Sequence, residues 1–223
     1  MSIAIFDLDN TLLNGDSDYL WGRFLVSKGL VDQSDYETKN AAFYQQYCQG
    51  TLDIYEFLNF ALQPLAQYET VDLLAWREEF VETWIKPIII AKASDLVAKH
   101  RAEGQIVMVI TATNRFITEA IADLYAVDYL LATRPEMKDG RFTGKVQGIP
   151  CFQEGKVENL NAWLSENQET LEDSWFYTDS HNDLPLLRRV THPVAVNPDD
   201  RLRSIASENG WPILDFINPS SAR

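Results

Sequence analysis

The chain has 223 residues, 46% of them hydrophobic, and a formal charge of −14 from 33 acidic and 19 basic side chains. That length and apolar content support one sizeable core, or a core with a smaller insert, and exclude the disordered class. So large an acidic excess argues against nucleic acid or an anionic membrane as the main partner, and it requires any anionic substrate to meet a locally positive site.

In chain order, Ile3-Ala4-Ile5-Phe6 reads as a buried strand that stops at Asp7. Residues 15 to about 87 lack strand signals and are dense in helix punctuation. Ser34 with Glu37 and Asp53 with Glu56 are spaced as capping boxes, Gly29 and Gly50 stand where helices should stop, and Pro64 and Pro87 close the later stretches. Aromatic residues recur there at helical spacing, at Tyr36, Phe43, Tyr44 and Tyr47, then Phe57 and Phe60, then Trp76, Phe80 and Trp84. They read as helix-packing core. The expected organisation is a helical subdomain, residues 15–87, inserted into a core made of residues 1–14 and 88–223.

A second strand over 106–110 is expected to end at Thr111, and three more are expected over 129–132, 175–177 and 193–196. Helices are expected over about 115–125, 156–167, 183–190 and 200–208. Continuous apolar strands alternating with helices predict an α/β, Rossmann-like core with a parallel sheet covered on both faces and right-handed crossovers. Residues Asn218 to Arg223 read as a loose tail. The two cysteines, Cys48 and Cys151, are too few for a disulfide framework and suit a reducing compartment. With no secretory signal and no apolar run of membrane-spanning length, the expectation is a cytoplasmic protein without a membrane partner.

In an open parallel sheet, ligands bind beyond the carboxyl ends of the strands. Asp7-Leu8-Asp9-Asn10-Thr11-Leu12 follows the first strand and Thr111-Ala112-Thr113 the second. Thr178-Asp179-Ser180-His181-Asn182-Asp183 follows the strand at 175–177, and Gly155-Lys156 opens a helix. Asp7, Asp9, Asp179 and Asp183 are expected to converge on one crevice. Carboxylates that close raise one another's pKa values unless a cation sits among them, and a hard divalent ion such as Mg2+ also brings in phosphate oxygens. Lys156 adds a second positive charge, Thr111 a hydroxyl, and backbone amides near Ala112 further donors to a phosphoryl oxygen. Taken singly, each residue is an ordinary turn, cap or solvated side chain; the set in this order forms a phosphoryl-transfer site. Among the remaining candidates, His181 is expected to face solvent or the helical insert. His100 and His192 read as structural or surface residues, Cys48 as core, and Cys151 as a loop residue without a catalytic thiol role.

These motifs resemble the four signatures of haloacid dehalogenase-type phosphatases, over almost the whole chain, and the helical insert is similar to the type-1 cap of that superfamily. The stretches Thr111-Ala112-Thr113-Asn114, Thr143-Gly144 and Pro150 through Lys156 are similar, more narrowly, to subfamily IB, which contains phosphoserine phosphatase and bacterial histidinol-phosphate phosphatases. The resemblance implies that Asp7 attacks phosphorus and carries an aspartyl-phosphate, while Asp9 protonates the leaving oxygen and then activates water. It implies Mg2+ held by Asp7, the backbone carbonyl of Asp9, and Asp179, with Asp183 assisting and Lys156 and Thr111 orienting the phosphoryl group. The implied substrate is a small phosphorylated metabolite, histidinol phosphate or phosphoserine. A dehalogenase of this type would lack Asp9, and an ion pump would need a membrane span. A phosphomutase on the same scaffold and a non-catalytic protein phosphorylated on Asp7 stand as alternatives. Asp16 and Asp18 open the helical insert directly after the catalytic loop, where either Asp16 and Ser17 cap a helix that starts near Asp18, or Asp16 or Asp18 reads a substrate ammonium group.

Overall fold

The computed structural model describes residues 2–217, so the tail expected from residue 218 lies outside the described residues. Strand β1 (Ile3–Phe6) is buried along its whole length, as a run of four apolar residues requires. The chain then turns into helices α1 (Ser17–Ser27), α2 (Gln33–Gln49), α3 (Ile54–Ala61), α4 (Gln63–Gln67) and α5 (Thr70–Phe80). The last continues as a wider π-type turn over Val81–Ile85 and a tight turn over Lys86–Ile88. Helix α6 (Ala91–Ala102), strand β2 (Ile106–Asn114), helix α7 (Arg115–Tyr125) and the hairpin β3 (Tyr129–Lys138) and β4 (Arg141–Gln147) follow. The chain ends through α8 (Glu154–Asn167), β5 (Trp175–Thr178), α9 (Leu184–Leu187), β6 (His192–Val196), α10 (Asp200–Asn209) and β7 (Ile213–Leu214).

The seven strands among the described residues lie in the order β4-β3-β2-β1-β5-β6-β7, parallel throughout except for β4. Strand β1 is therefore central, and its carboxyl end opens between those of β2 and β5. Alternate side chains of the central strands point to opposite faces. Ala4, Phe6, Val107 and Val109 pack with Trp21, Phe24 and Phe80 of the helical segment, while Ile3, Ile5, Met108 and Ile110 pack with Leu160, Trp163 and Leu202. The helical segment leaves and rejoins the sheet at one place. Leu13 bridges Ile89, Asn14 N donates to Ile88 O at 2.7 Å, and Ile90 N donates to Leu12 O at 3.0 Å. No helix among the described residues is long and apolar enough to cross a membrane.

Several local expectations need correction. Strand β2 runs on past Thr111 to Asn114, and β3 runs to Lys138 because it gains an antiparallel partner. That partner, β4, reads Arg-Phe-Thr-Gly-Lys-Val-Gln over 141–147, a polar edge strand without an apolar run. Helix α6 and strand β7 were also not expected. The helix expected over 183–190 is a tight turn over His181–Asp183 followed by the four-residue α9. Ser34 does not cap α2; Asp32, two residues earlier in extended backbone, accepts from Asp35 N instead. Asp53 does cap α3, accepting from Tyr55 N and Glu56 N. Pro64 opens α4 rather than ending a helix, since the first helical turn needs no donor from it. Cys48 is exposed on α2 and not in the core, whereas Cys151 is buried.

Candidate active site

Asp7 is the first residue past β1, and its backbone N donates to Tyr177 O of the neighbouring β5 at 2.8 Å. Leu8, Leu12 and Leu13 are fully buried and anchor the loop, while Asn10 turns it at φ 55°, a left-handed conformation that asparagine tolerates. Asp9 is held on both oxygens. Ser17 N, at the start of α1, donates to Oδ1 at 2.7 Å, and the Thr113 hydroxyl donates to Oδ2 at 2.8 Å. Thr111 is buried on β2, and its hydroxyl oxygen accepts from Thr113 N at 3.2 Å.

Lys156 is brought in by an unusual helix start. Gln153 lies at φ 47°, and a Cβ on Gly155 would stand 2.0 Å from Pro150 O, so only glycine fits there. The next residue, Lys156, is 3% exposed, with Nζ 2.9 Å from Asp7 Oδ1 and 2.7 Å from Asp183 Oδ2. Asp183 Oδ2 also accepts the Thr178 hydroxyl at 2.6 Å. Burial works against the Lys156 ammonium, but Asp183 and Asp7 outweigh it and hold its pKa above the usual lysine range. Burial pushes the Asp7 carboxyl up to about 7 against the pull of Lys156, with Asp183 adding to the rise. Burial, then the charge of Asp16, pushes Asp9 up to about 7 despite its bonds from Ser17 and Thr113.

Asp179, at the end of β5, is buried, and its carboxyl is raised first by burial and then by Asp7 and Asp183. Its Oδ1 is a buried acceptor with no hydrogen-bond partner among the described residues. An orphaned carboxylate oxygen beside a second carboxylate of raised pKa is the environment a hard cation relieves. Among the described residues no three His, Cys, Asp or Glu side chains stand together at ligand spacing. A cation here would take the Asp7 and Asp179 carboxylates and complete its shell from backbone carbonyl and water, as Mg2+ commonly does. The donor set fits that ion.

Of the four carboxylates expected to converge on one crevice, Asp179 borders a neighbouring cleft instead, whereas Asp7, Asp9 and Asp183, with Lys156, form the floor of a pocket of about 710 Å3, counted to its open mouth. Asp7, Asp9, Thr111, Ala112, Lys156 and Asp183 line it together with Asp16 and Asp18. Asp16 caps α1, accepting from Tyr19 N at 2.8 Å, so the capping role is real, and it still borders the pocket. Asp18 accepts from Asn114 Nδ2 at 3.2 Å. Burial raises both carboxyls above the usual range. Phe43, Tyr47 and Phe57, partly buried, and the exposed Tyr44 were expected as core but line the pocket instead, while Tyr36 and Phe80 are core as expected. Thr113, Asn114 and this aromatic wall escaped the sequence reading. Thr113 stands two residues after Thr111 on the same strand, a signal that could have found it.

Of the two expectations for His181 the second holds: it is buried and faces the helical insert, its Nε2 against Gly50 at the end of α2, while its backbone N and ring Nδ1 both lie 2.8 Å from Asp199 Oδ2. Beside it, Asn182 Nδ2 donates to Tyr47 O at 3.2 Å. His100 is buried against Gln105 and Tyr177, and His192 is exposed beside Asp173, so both are structural or surface residues. Burial pushes the Cys151 thiol up to about 12, which leaves it without thiolate at neutral pH.

A family profile described as haloacid dehalogenase-like hydrolase matches residues 4–188. A histidinol-phosphatase of Neisseria meningitidis is 46% identical, the match covering 96% of this chain and 99% of its own length. A phosphoserine phosphatase of Mycobacterium tuberculosis is 33% identical over 96% of this chain and 70% of its own. A Bordetella pertussis protein of unknown function superposes with a TM-score of 0.91 at 43% identity, covering 97% of this chain and 99% of that one. A substrate-bound phosphoserine phosphatase complex gives 0.71 at 19% identity, covering 96% and 92%, which is a likeness of fold.

Proposed function

The chain belongs to the haloacid dehalogenase-like hydrolase family, and on that premise we propose that it hydrolyses a small phosphomonoester through an aspartyl-phosphate on Asp7. Histidinol phosphate is the first substrate proposed and phosphoserine the second, following the activities named for the two relatives above. The observation that carries the reading is the buried Asp7 carboxylate, fixed 2.9 Å from Lys156 Nζ on the floor of a pocket it shares with Asp9.

Asp7 attacks phosphorus as the bond to the alcohol oxygen breaks. Asp9, whose carboxyl is held above the usual carboxylate range by burial and then by the charge of Asp16, gives a proton to that leaving oxygen. In the second step the Asp9 carboxylate takes a proton from water as the water oxygen attacks phosphorus. The bond to Asp7 then breaks, inorganic phosphate leaves, and both aspartates are restored. Lys156 pairs with charge on the phosphoryl oxygens, and the Thr111 hydroxyl and nearby amides at Ala112 orient them. Asp183 keeps Lys156 in place. Asp7, Asp179 and the Asp9 carbonyl, with Asp183 beside them, would hold Mg2+, which would supply the positive charge that lets an anionic nucleophile approach a phosphate.

The test is phosphate release from 4-nitrophenyl phosphate with Mg2+, together with acid-quench trapping of phosphoprotein. The parent should turn over and give an acid-stable, hydroxylamine-sensitive phosphoprotein, and Asp7→Asn should do neither. Near-normal turnover by Asp7→Asn would remove the nucleophile assignment.

A further inference from the structure

We infer that the part of the pocket built by the helical segment selects a cationic phosphomonoester that carries a planar ring and no carboxylate, with Asp18 as a specificity-determining residue. The inference rests on the phosphatase reading and decides between its two substrates. Among the described residues lining the pocket, Lys156 is the one cation, and its ammonium is already bonded to Asp7 and Asp183. The phosphoryl group claims that end. What remains for the rest of the substrate is Asp16 at the N-cap of α1, Asp18 in its first turn, the neutral amides of Asn10, Asn40 and Asn182, and aliphatic and aromatic side chains.

A substrate carboxylate entering there would lose its water and face two carboxylates with no cation to receive it, which is a strong penalty. A substrate ammonium meets the opposite situation, so the same two residues attract one class and repel the other. Asp16 spends one oxygen on capping α1, whereas Asp18 accepts a side-chain hydrogen bond from Asn114 Nδ2 alone. Asp18 is thus the less committed of the two.

The aromatic residues sharpen the choice. Tyr19 directly follows Asp18 and lies 5.4 Å from Tyr44, centroid to centroid, and Phe43 meets Phe57 edge-on at 5.5 Å. Rings at such angles offer faces and edges to a further planar ring, and their faces attract cations. An amine beside an imidazole ring, with no carboxylate, satisfies every feature. Phosphoserine brings a carboxylate and no ring.

The experiment measures kcat/KM with Mg2+ for histidinol phosphate, phosphoethanolamine, phosphoserine and 4-nitrophenyl phosphate. Histidinol phosphate should exceed phosphoserine by about tenfold or more, with phosphoethanolamine between them. In Asp18→Asn, the ratio of histidinol phosphate to aryl phosphate should fall about tenfold while the melting temperature holds. Leu52→Arg, which places a cation in a loop bordering the pocket, should raise phosphoserine relative to histidinol phosphate. A parent that prefers phosphoserine, or an unchanged substrate ratio in a folded Asp18→Asn, would overturn the inference. Similar turnover of all four substrates would overturn the selection and leave the phosphatase reading intact. Turnover of none of them would overturn both.

Discussion

At the scale of single residues, the site depends on groups whose charges are set by their neighbours. Asp9 sits between Ser17 N and the Thr113 hydroxyl, where asparagine can keep the bond from Ser17 but cannot carry a transferable proton. Asp9→Asn is expected to lower kcat by roughly 10²–10⁴-fold, the range of general acid–base catalysis. Because the expected metal contact of Asp9 is its backbone carbonyl, saturating Mg2+ should not restore the rate. A variant with normal kcat at high Mg2+ would reverse that division of labour. Lys156 is the complementary case. Its ammonium is fully enclosed between Asp7 and Asp183, so Lys156→Ala leaves two buried carboxylates without their counter-ion. Breaking such a pair costs about 3–5 kcal/mol. Turnover should fall by about 10² or more, as when a preorganised transition-state donor is removed. A loss of less than about twofold would return Lys156 to the behaviour of a solvated surface lysine.

At the scale of elements, the start of α8 is the device that aims Lys156 inward. The contact of Pro150 O with the position of a Gly155 Cβ, 2.0 Å, leaves no room for any side chain. Gly155→Ala should therefore cost about 1–3 kcal/mol through overpacking. In a chain of this size that is a fall of several degrees in melting temperature. Activity should fall further than stability alone explains, because the helix must shift to relieve the clash and carries Lys156 with it. Calorimetry and kcat/KM on the same preparation separate the two effects, and a melting temperature equal to the parent's would show that the turn can relax. The end of α2 is a second such element. Gly50 at φ 71° packs against the His181 ring, and Asn182 donates to Tyr47 O, so the aromatic wall is seated on the strand-end loop that also carries Asp179 and Asp183.

At the scale of the whole molecule, the sheet order brings the ends of β1, β2 and β5 together, with Lys156 entering from α8. Repulsion between buried carboxylates there should be relieved by cation binding, so Mg2+ should stabilise the native state in proportion to RT ln(1 + [Mg2+]/Kd). The expected result is a melting temperature that rises with Mg2+, falls back with chelator, and loses the dependence in Asp179→Asn. A parent indifferent to Mg2+ in both melting and turnover would count against the metal. The sequence by itself determined the apolar strands, the residue types at their ends, and hence the parallel sheet and the polar floor of the candidate pocket. Those signals are local, since a buried strand must be an apolar run and the polar residue that ends it must face the crevice. Only the tertiary structure decided which aromatic residues are core and which line the pocket. Both kinds recur at helical spacing, and the distinction depends on what the opposite face of each helix meets. The sequence could place Thr113 beside Thr111 but could not pair Thr113 with Asp9 or Asn114 with Asp18, because these partners lie about a hundred residues apart along the chain and meet only through the pairing of β2 with β1 and the packing of α1 beside them.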